Sequence, residues 1–254
     1  MGSIVVTGAA SGIGAATCVR LEKEGHRVIG VDRSPGAEVV ADLGSREGRS
    51  LAVEAIREAS GGSLEGVVSA AGLGPYDEAG PVARVNYFGA MAMLDDLLEL
   101  LARGSAPAAV GISSVGAVFT QLLVPGFVEA CLAGDEEAAV ACMEGHDGNT
   151  AYVCAKHALA LAVKQRAPAW GARGVRLNAV APGSTETAML ERLHDDPALG
   201  PPVRALPIPL GRTATASELA SAIAFLLGPD ASFVHGTVLK VDGGSEAVIR
   251  PDVI

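Results

Sequence analysis

The sequence predicts an α/β fold, a doubly wound parallel sheet with helices on both faces. Three observations predict it. Short β-branched runs alternate with helical stretches from end to end, the first run closes on a glycine-rich turn, and Ala, Val, Leu and Gly rather than aromatics supply the core. A chain of 254 residues suits one large domain, 1–254, and no boundary or internal repeat divides it.

SIVVTG, ending at Gly8, reads as a buried strand. Residues 15–24 (AATCVRLEKE) read as a helix, with Gly25 placed where a helix stop belongs. HRVIGVD is the second strand, which completes a βαβ unit. Residues 46–59 read as helical, LEGVVSAAG as a third strand ending at Gly72, residues 85–101 as one long helix, and PAAVGISS as a fourth strand. A further long helix runs from Tyr152 to Trp170, interrupted or ended near Pro168. VRLNAVAPG, a helix over 217–227 and the final strand GTVLKVDGG continue the alternation. Two segments break it. Residues 118–150 are longer than a loop needs, and LAGDEEAAVACMEG within them reads as an extra helix. Residues 184–212 are rich in Pro, Leu and acidic side chains. Excursions of this length serve as lids or interfaces, or are inert surface insertions.

The bulk properties exclude several classes. A formal charge of −10 argues against a nucleic-acid surface, which needs clustered Lys and Arg. No run of about 18 apolar residues marks a membrane span, and no basic, then apolar, leader marks secretion. A cytoplasmic location follows as the expectation. Cys18, Cys131, Cys142 and Cys154 form no C-x-x-C pair and are expected as reduced thiols. Cys142 and His146 would share a helical face, but no second ligand pair completes a tetrahedral set, so no metal site is expected.

The first turn reads Thr7-Gly8-Ala9-Ala10-Ser11-Gly12-Ile13-Gly14, between a strand and a helix. Glycines there permit a tight turn and let the backbone approach a pyrophosphate, whose charge is favoured at a helix N-terminus. Asp32 ends the second strand, where a carboxylate binds both ribose hydroxyls and repels a 2′-phosphate. The expected cofactor is therefore NAD rather than NADP, although the neighbouring Arg33 is of the kind that accommodates a phosphate. Tyr152 and Lys156 stand one helical turn apart on one face. Such a pair is either a surface lysine beside a half-buried tyrosine or a phenol tuned to move a proton.

These glycines, Asn86 in VNYFGA, Ser114 in VGISSVGA, Tyr152 and Lys156 in YVCAK, and PGSTET at 182–187 together resemble the short-chain dehydrogenase/reductase family, in order from about residue 3 to VDGG at 241–244. The resemblance implies a single Rossmann-type domain with about seven parallel strands and nicotinamide-dependent interconversion of an alcohol and a carbonyl. It also implies roles. Tyr152 is the general acid/base. An ordinary phenol has a pKa of about 10, which Lys156 and the positive charge of the oxidised cofactor would lower. Ser114 holds the substrate oxygen, with Ser113 turned to the other side of the strand. Lys156 also grips the nicotinamide ribose, and Asn86 binds a water that relays protons from Lys156. Gly8, Ser11, Gly12, Ile13 and Gly14 take the pyrophosphate end, Asp42 and Leu43 the adenine, and the Ala71 and Gly72 backbone the ribose. Pro182, Gly183, Thr185 and Thr187 cover the nicotinamide. SAAG at 69–72 departs from the family's Asn-Asn-Ala-Gly, since Ala70 replaces an amide.

Ser114 and Tyr152 are 38 positions apart, a wider gap than the family's usual one. With GLGP, WGARGVRLN, PGSTETAML, FVHG and the tail RPDVI, this resembles the bacterial 3α-hydroxysteroid dehydrogenase/carbonyl reductase subgroup. Coniferyl alcohol dehydrogenases share much of the pattern, so the implied substrate is a hydrophobic secondary alcohol or ketone, a 3α-hydroxysteroid first and an aryl or allylic alcohol second. A nucleotide-binding regulator is the non-enzymatic alternative; an intact Ser114, Tyr152 and Lys156 argues against it. The family's helices carrying Asn86 and Tyr152 pair between subunits. An insertion at 118–148 would block or replace that pairing, so a homo-oligomer, with a dimer favoured, is expected, and LLVPGFV would be buried at an interface or beside the substrate, or else form an isolated lid. The 184–212 segment is expected to close over substrate, with Met189, Leu190, Leu193 and Leu206 packed on the ligand or on the loop itself.

Overall fold

A computed structural model describes residues 2–253. The chain opens with β1 (Ser3–Thr7), α1 (Gly12–Lys23), β2 (Arg27–Asp32), the two-residue strand β3 (Val39–Val40) and α2 (Arg46–Ala59). After β4 (Gly66–Ser69) comes a broken helical run: α3 (Ala79–Ala83), a π-helical turn (Arg84–Gly89), α4 (Ala90–Asp95) and α5 (Leu98–Leu101). Strand β5 (Ala108–Ile112) precedes the insertion, which carries α6 (Phe127–Ala133) and α7 (Glu136–Cys142). Helix α8 (Gly148–Gly171) and β6 (Arg176–Pro182) follow, then β7 (Thr185–Glu186), α9 (Ala188–Asp195), α10 (Gly200–Arg204) and β8 (Ala214–Thr215). The chain ends with α11 (Ala216–Leu227), β9 (Val238–Val241) and α12 (Ser245–Ile249).

Seven parallel strands form the main sheet in the order β3-β2-β1-β4-β5-β6-β9. The order reverses between β1 and β4, and the carboxyl ends of those strands flank the crevice where such folds bind ligands. Alternation along each strand divides the core into two layers. Ile4 and Val6 join Leu21 of α1 and Leu219 and Ile223 of α11. Val5 joins Ile56 of α2, Leu94 of α4 and Leu159 of α8 on the other face. Val5 and Val6 are both fully buried, worth roughly 1.5–3 kcal/mol each. The doubly wound expectation holds, and β3 is the strand that the hydrophobic pattern does not reveal.

Three elements differ from the sequence reading. The helix expected over 85–101 is interrupted by the π turn and again between α4 and α5. Helix α8 starts a turn before Tyr152 because the Asp147 carboxylate caps it, accepting from the Thr150 N–H at 2.8 Å. It also runs through Pro168 to Gly171 instead of ending there. The insertion holds two helices rather than one: Gly134, in the left-handed region at φ 76°, ends α6, and Asp135 caps α7 by accepting from the Ala138 N–H at 3.0 Å. Because α7 stops at Cys142, His146 shares no helical face with it. Among the described residues no three His, Cys, Asp or Glu side chains gather as metal ligands, and no helix is long and apolar enough to cross a membrane. Helices α6 and α7 lie against α3, the π turn and α8, the surface where the insertion was expected.

Candidate active site

The crevice at the β1/β4 switch point is a cleft of about 670 Å³. Its inner end is built by the first turn. Gly14 has no room for a side chain, since a Cβ there would lie 2.1 Å from the Gly8 carbonyl oxygen. Gly8 itself sits at φ 69° with the Ala70–Ala71 backbone 3.0 Å from where its Cβ would be. Ser11 precedes α1 in an extended conformation and makes no capping bond, and the first turn of α1 carries no acidic residue. The leading N–H groups of α1 are thus left for a ligand at the positive end of the helix. The Thr7 hydroxyl accepts from both the Ala70 and Ala71 N–H groups, at 3.0 and 2.9 Å, and ties the end of β4 to that of β1. The loss of an amide at Ala70 therefore leaves its backbone anchored.

Asp32 faces the cleft and accepts from the Ser34 N–H at 2.9 Å and the Ala10 N–H at 3.1 Å. Burial disfavours its charge, but the hydrogen bonds, those of Ser34 and Ala10 foremost, outweigh burial and hold the carboxyl below its usual range. Asp42 and Leu43 form the neighbouring wall.

At the centre, Ser114, Tyr152 and Lys156 converge on the cleft. Strand β5 delivers Ser114 at its carboxyl end, and its hydroxyl accepts from the Gly116 N–H at 3.0 Å. The Ser113 hydroxyl points away, donating to the Lys156 carbonyl at 2.9 Å, as alternation along a strand requires. Lys156 Nζ donates to the Ile112 carbonyl at 2.7 Å and lies 5.8 Å from the Tyr152 ring centre. Burial lowers the Lys156 ammonium to about 8. Burial pushes the Tyr152 phenol up, a hydrogen bond with Ser114 pulls it back, and the nearby Tyr76 adds to the rise. In the free protein Tyr152 is thus held as a phenol. Asn86 is fully buried behind the wall, where its carboxamide accepts from the Leu73 N–H at 2.7 Å and donates to the Leu73 carbonyl at 3.0 Å. Pro182, Gly183, Thr185 and Thr187 close this end. The chain matches the model for "short chain dehydrogenase" over residues 3–127 and that for "Enoyl-(Acyl carrier protein) reductase" over residues 138–246. It is 45% identical to the 3-alpha-hydroxysteroid dehydrogenase/carbonyl reductase of Comamonas testosteroni, over 99% of both chains.

The chain belongs to the short-chain dehydrogenase/reductase family.

Other members agree with it over their length. The crystal structure of a 3-alpha-hydroxysteroid dehydrogenase from Pseudomonas sp. B-0831, complexed with NADH, superposes with a TM-score of 0.97 at 45% identity and covers 99% of this chain and 100% of its own. The cis-4-hydroxycyclohexanecarboxylate dehydrogenase of Sinomonas cyclohexanicum is 33% identical over 96% of both chains. The short-chain dehydrogenase/reductase described here is accordingly an oxidoreductase.

The outer end of the cleft belongs to the two excursions. Helices α9 and α10 and the residues flanking α10 cover it with Met189, Leu190, Leu193, Leu199, Val203 and Leu206. Both roots of this lid are fastened by a two-rung ladder, Thr185 opposite Ala214 and Glu186 opposite Thr215. Arg192 of α9 reaches across the mouth: its guanidinium carbon is 3.9 Å from the Tyr76 ring centre, and Nη1 is 3.6 Å from Asp77 Oδ1. The start of the insertion supplies Phe119, Gln121 and Leu122 to the wall. The Cys154 thiol holds that segment to α8, accepting from the Val124 N–H and donating to the Leu122 carbonyl. Sequence reasoning gave no role to Thr7, although it opens the glycine-rich turn, and missed Gln121 and Arg192, which nothing local distinguishes.

Proposed function

We propose that the enzyme interconverts a 3α-hydroxysteroid and its 3-ketone with NAD(H). The observation that carries this is the meeting of Ser114, Tyr152 and Lys156 beneath a lid whose outer part, from Ala188 to Leu206, lines the cleft with apolar side chains. The 45% identity to two hydroxysteroid dehydrogenases, one solved with NADH, supports both substrate and cofactor. Gly8, Ser11, Gly12, Ile13 and Gly14 would hold the pyrophosphate at the uncapped start of α1, Asp32 the adenosine ribose, and Asp42 and Leu43 the adenine. Ala71 and Gly72 would meet the ribose through their backbone, and Pro182, Gly183, Thr185 and Thr187 the nicotinamide end. The whole chain, 1–254, acts as one catalytic unit with its insertion at 118–148 and its lid at 184–212.

When bound, the dinucleotide accepts the carbinol hydride in oxidation and returns it in reduction. Ser114 Oγ holds the substrate oxygen next to Tyr152 Oη. In reduction the Tyr152 phenol donates its proton to the carbonyl oxygen; in oxidation the phenolate removes the hydroxyl proton. The resting phenol is ready for reduction, and the Lys156 ammonium stabilises the phenolate that reduction leaves. A side chain projecting from Gly72 would pass 3.1 Å from Asn86 Oδ1 and 3.7 Å from Lys156 Nζ. A water bridging those two atoms is the relay we assign to Asn86, which also fixes Leu73. The lid excludes water while the apolar substrate is held.

Tyr152→Phe tests the reading. Turnover of a 3α-hydroxysteroid with NAD⁺, followed as NADH absorbance, should fall by orders of magnitude while NADH binding persists. Retained turnover would remove Tyr152 from the chemistry. Coniferyl alcohol as the preferred substrate would leave the mechanism in place and replace the steroid.

A second copy of the chain is the remaining partner we infer. Helices α6 and α7 occupy the surface against α3 and α8, whereas β9 is an edge strand of the sheet, and Phe225 of α11 and Phe233, shortly before β9 in the chain, are exposed. We place a dimer contact there, and sedimentation of a Phe225→Glu, Phe233→Glu variant as a monomer would bear it out. All four thiols are free, as a reducing cytoplasm keeps them.

A further inference from the structure

We propose that the insertion serves the cofactor end of the cleft: Glu136, acting through Arg49, holds the Asp42–Leu43 wall in the position that receives adenine. The proposal rests on the assignment of that wall to adenine.

Glu136 is the first residue of α7, and its side chain is only 4% exposed. Oε2 lies 2.5 Å from Arg49 Nη2, and Oε1 lies 2.8 Å from Arg84 Nη1. Arg46 adds a longer contact at 3.5 Å from the solvent side. Arg49, itself 8% exposed in its side chain, uses its other nitrogen, Nη1, to donate to the Leu43 carbonyl at 3.3 Å. One carboxylate thus joins three parts of the fold: the insertion, α2 through Arg49, and the π turn through Arg84.

The same wall is wedged from two further sides. A Cβ on Gly89, in the π turn, would lie 2.8 Å from the Leu43 carbonyl oxygen and 3.1 Å from Leu43 Cβ. A Cβ on Gly48, in the first turn of α2, would lie 2.0 Å from the Asp42 carbonyl oxygen. The segment is therefore pressed against both elements that Glu136 fastens. Without the carboxylate, the buried Arg49 guanidinium would lose its ion pair and be left near the cations of the half-exposed Arg84 and the exposed Arg46. Arg49 would turn outward, and its bond to Leu43 would go with it. The network ends at Leu43, which lines the cleft; among the described residues none of its hydrogen bonds or ion pairs reaches Ser114, Tyr152 or the lid. Glu136 and Arg49 are positioning residues for the dinucleotide, and their effect should be confined to its adenosine half.

The test uses the full chain and ADP-ribose, a probe that carries the adenosine half and no nicotinamide. Its dissociation constant is measured calorimetrically for the wild type, Glu136→Gln, Glu136→Asp and Arg49→Lys. Coupling within a shared hydrogen-bond network corresponds to an ADP-ribose affinity weakened by about five- to tenfold in Glu136→Gln. KM for NAD⁺ should rise in parallel, with kcat at saturating NAD⁺ and KM for the steroid unchanged. Glu136→Asp should recover part of the loss. Arg49→Lys, which keeps the charge and loses the fork, should reproduce the defect, and it carries the test if Glu136→Gln does not fold. Unchanged ADP-ribose affinity in the folded variants overturns the proposal. So does an equal loss in kcat or steroid KM, which would mark a general loosening. A wild type that binds NADH but not ADP-ribose would instead overturn the adenine assignment, and the proposal with it.

Discussion

Replacing Gly14 by alanine adds one methyl group at a place where the structure has no space for it. The new Cβ would stand 2.1 Å from the Gly8 carbonyl oxygen, 2.6 Å from its carbonyl carbon and 3.0 Å from the Thr7 carbonyl oxygen. All three are backbone atoms, so no rotamer change can relieve the clash. To reach a tolerable contact of about 3 Å, the first turn of α1 must move from the end of β1 by about 0.9 Å. Overpacking of this kind costs about 1–3 kcal/mol. A displacement of about 1 Å in a positioned site is of the order that costs a hundredfold in rate. The alanine variant should therefore melt several degrees lower and bind NADH at least tenfold more weakly, read by the fluorescence of bound NADH and by calorimetric melting. Gly80→Ala is the control. It lies in α3, and its Cβ would meet only Val140, at 3.7 Å; it should match or exceed the wild-type melting temperature, because alanine favours helix. Wild-type NADH affinity and melting in Gly14→Ala would refute the claim that the turn depends on backbone contact at this glycine.

Three further outcomes follow from the same geometry. Asp32→Ala removes the carboxylate that would repel a 2′-phosphate, so the ratio of kcat/KM for NADP⁺ to that for NAD⁺ should rise at least tenfold; an unchanged ratio would exclude Asp32 from cofactor choice. Lys156, one of four lysines in the chain, has its ammonium lowered to about 8 by burial. Its neutral form should therefore appear as pH rises through 8, and modification by an amine-directed reagent, located by mass spectrometry, should show a midpoint there and be blocked by NADH; a rate still climbing past pH 10 would contradict this. Arg192→Ala breaks the contact with Tyr76 and Asp77, a pairing worth about 0.5–1 kcal/mol at an exposed site. It should raise the steroid KM by about two- to fivefold and speed chymotryptic cleavage of the lid, with KM for NAD⁺ unaltered; equal cleavage rates would remove Arg192 as a clasp.

The parts of the fold that were legible in the sequence are those whose local chemistry admits one reading. A β-branched run, glycines at 8, 12 and 14, and a helical stretch can hardly form anything but a strand, tight turn and helix. Strand β3 was not legible because two valines at a sheet edge have no periodicity. The π turn at Arg84–Gly89 was not legible because its cause is distant: the turn places the Asn86 amide where it bonds Leu73, 13 positions earlier. In the insertion, Gly134 and Asp135 are a stop and a start that adjoin, and hydrophobicity alone runs through them. The site was more legible than the fold's details, since Ser114, Tyr152, Lys156 and the glycines occur in family order. Glu136 gave no sign of itself. A glutamate opening a helix is ordinary, and its partner Arg49 lies 87 positions away.

The two-rung ladder between β7 and β8 has a consequence for how such an enzyme diversifies. Thr185 and Glu186 pair with Ala214 and Thr215, so the stretch that covers the outer end of the cleft leaves and re-enters the molecule at one point. Its length and shape impose little on the sheet, because the ends are already held together and extra residues between them cost little closure entropy. The lid is in effect a cassette. Exchanged as a unit between Thr187 and Thr213, it would carry its side chains into another member of the family while Ser114, Tyr152 and Lys156 stay where they are.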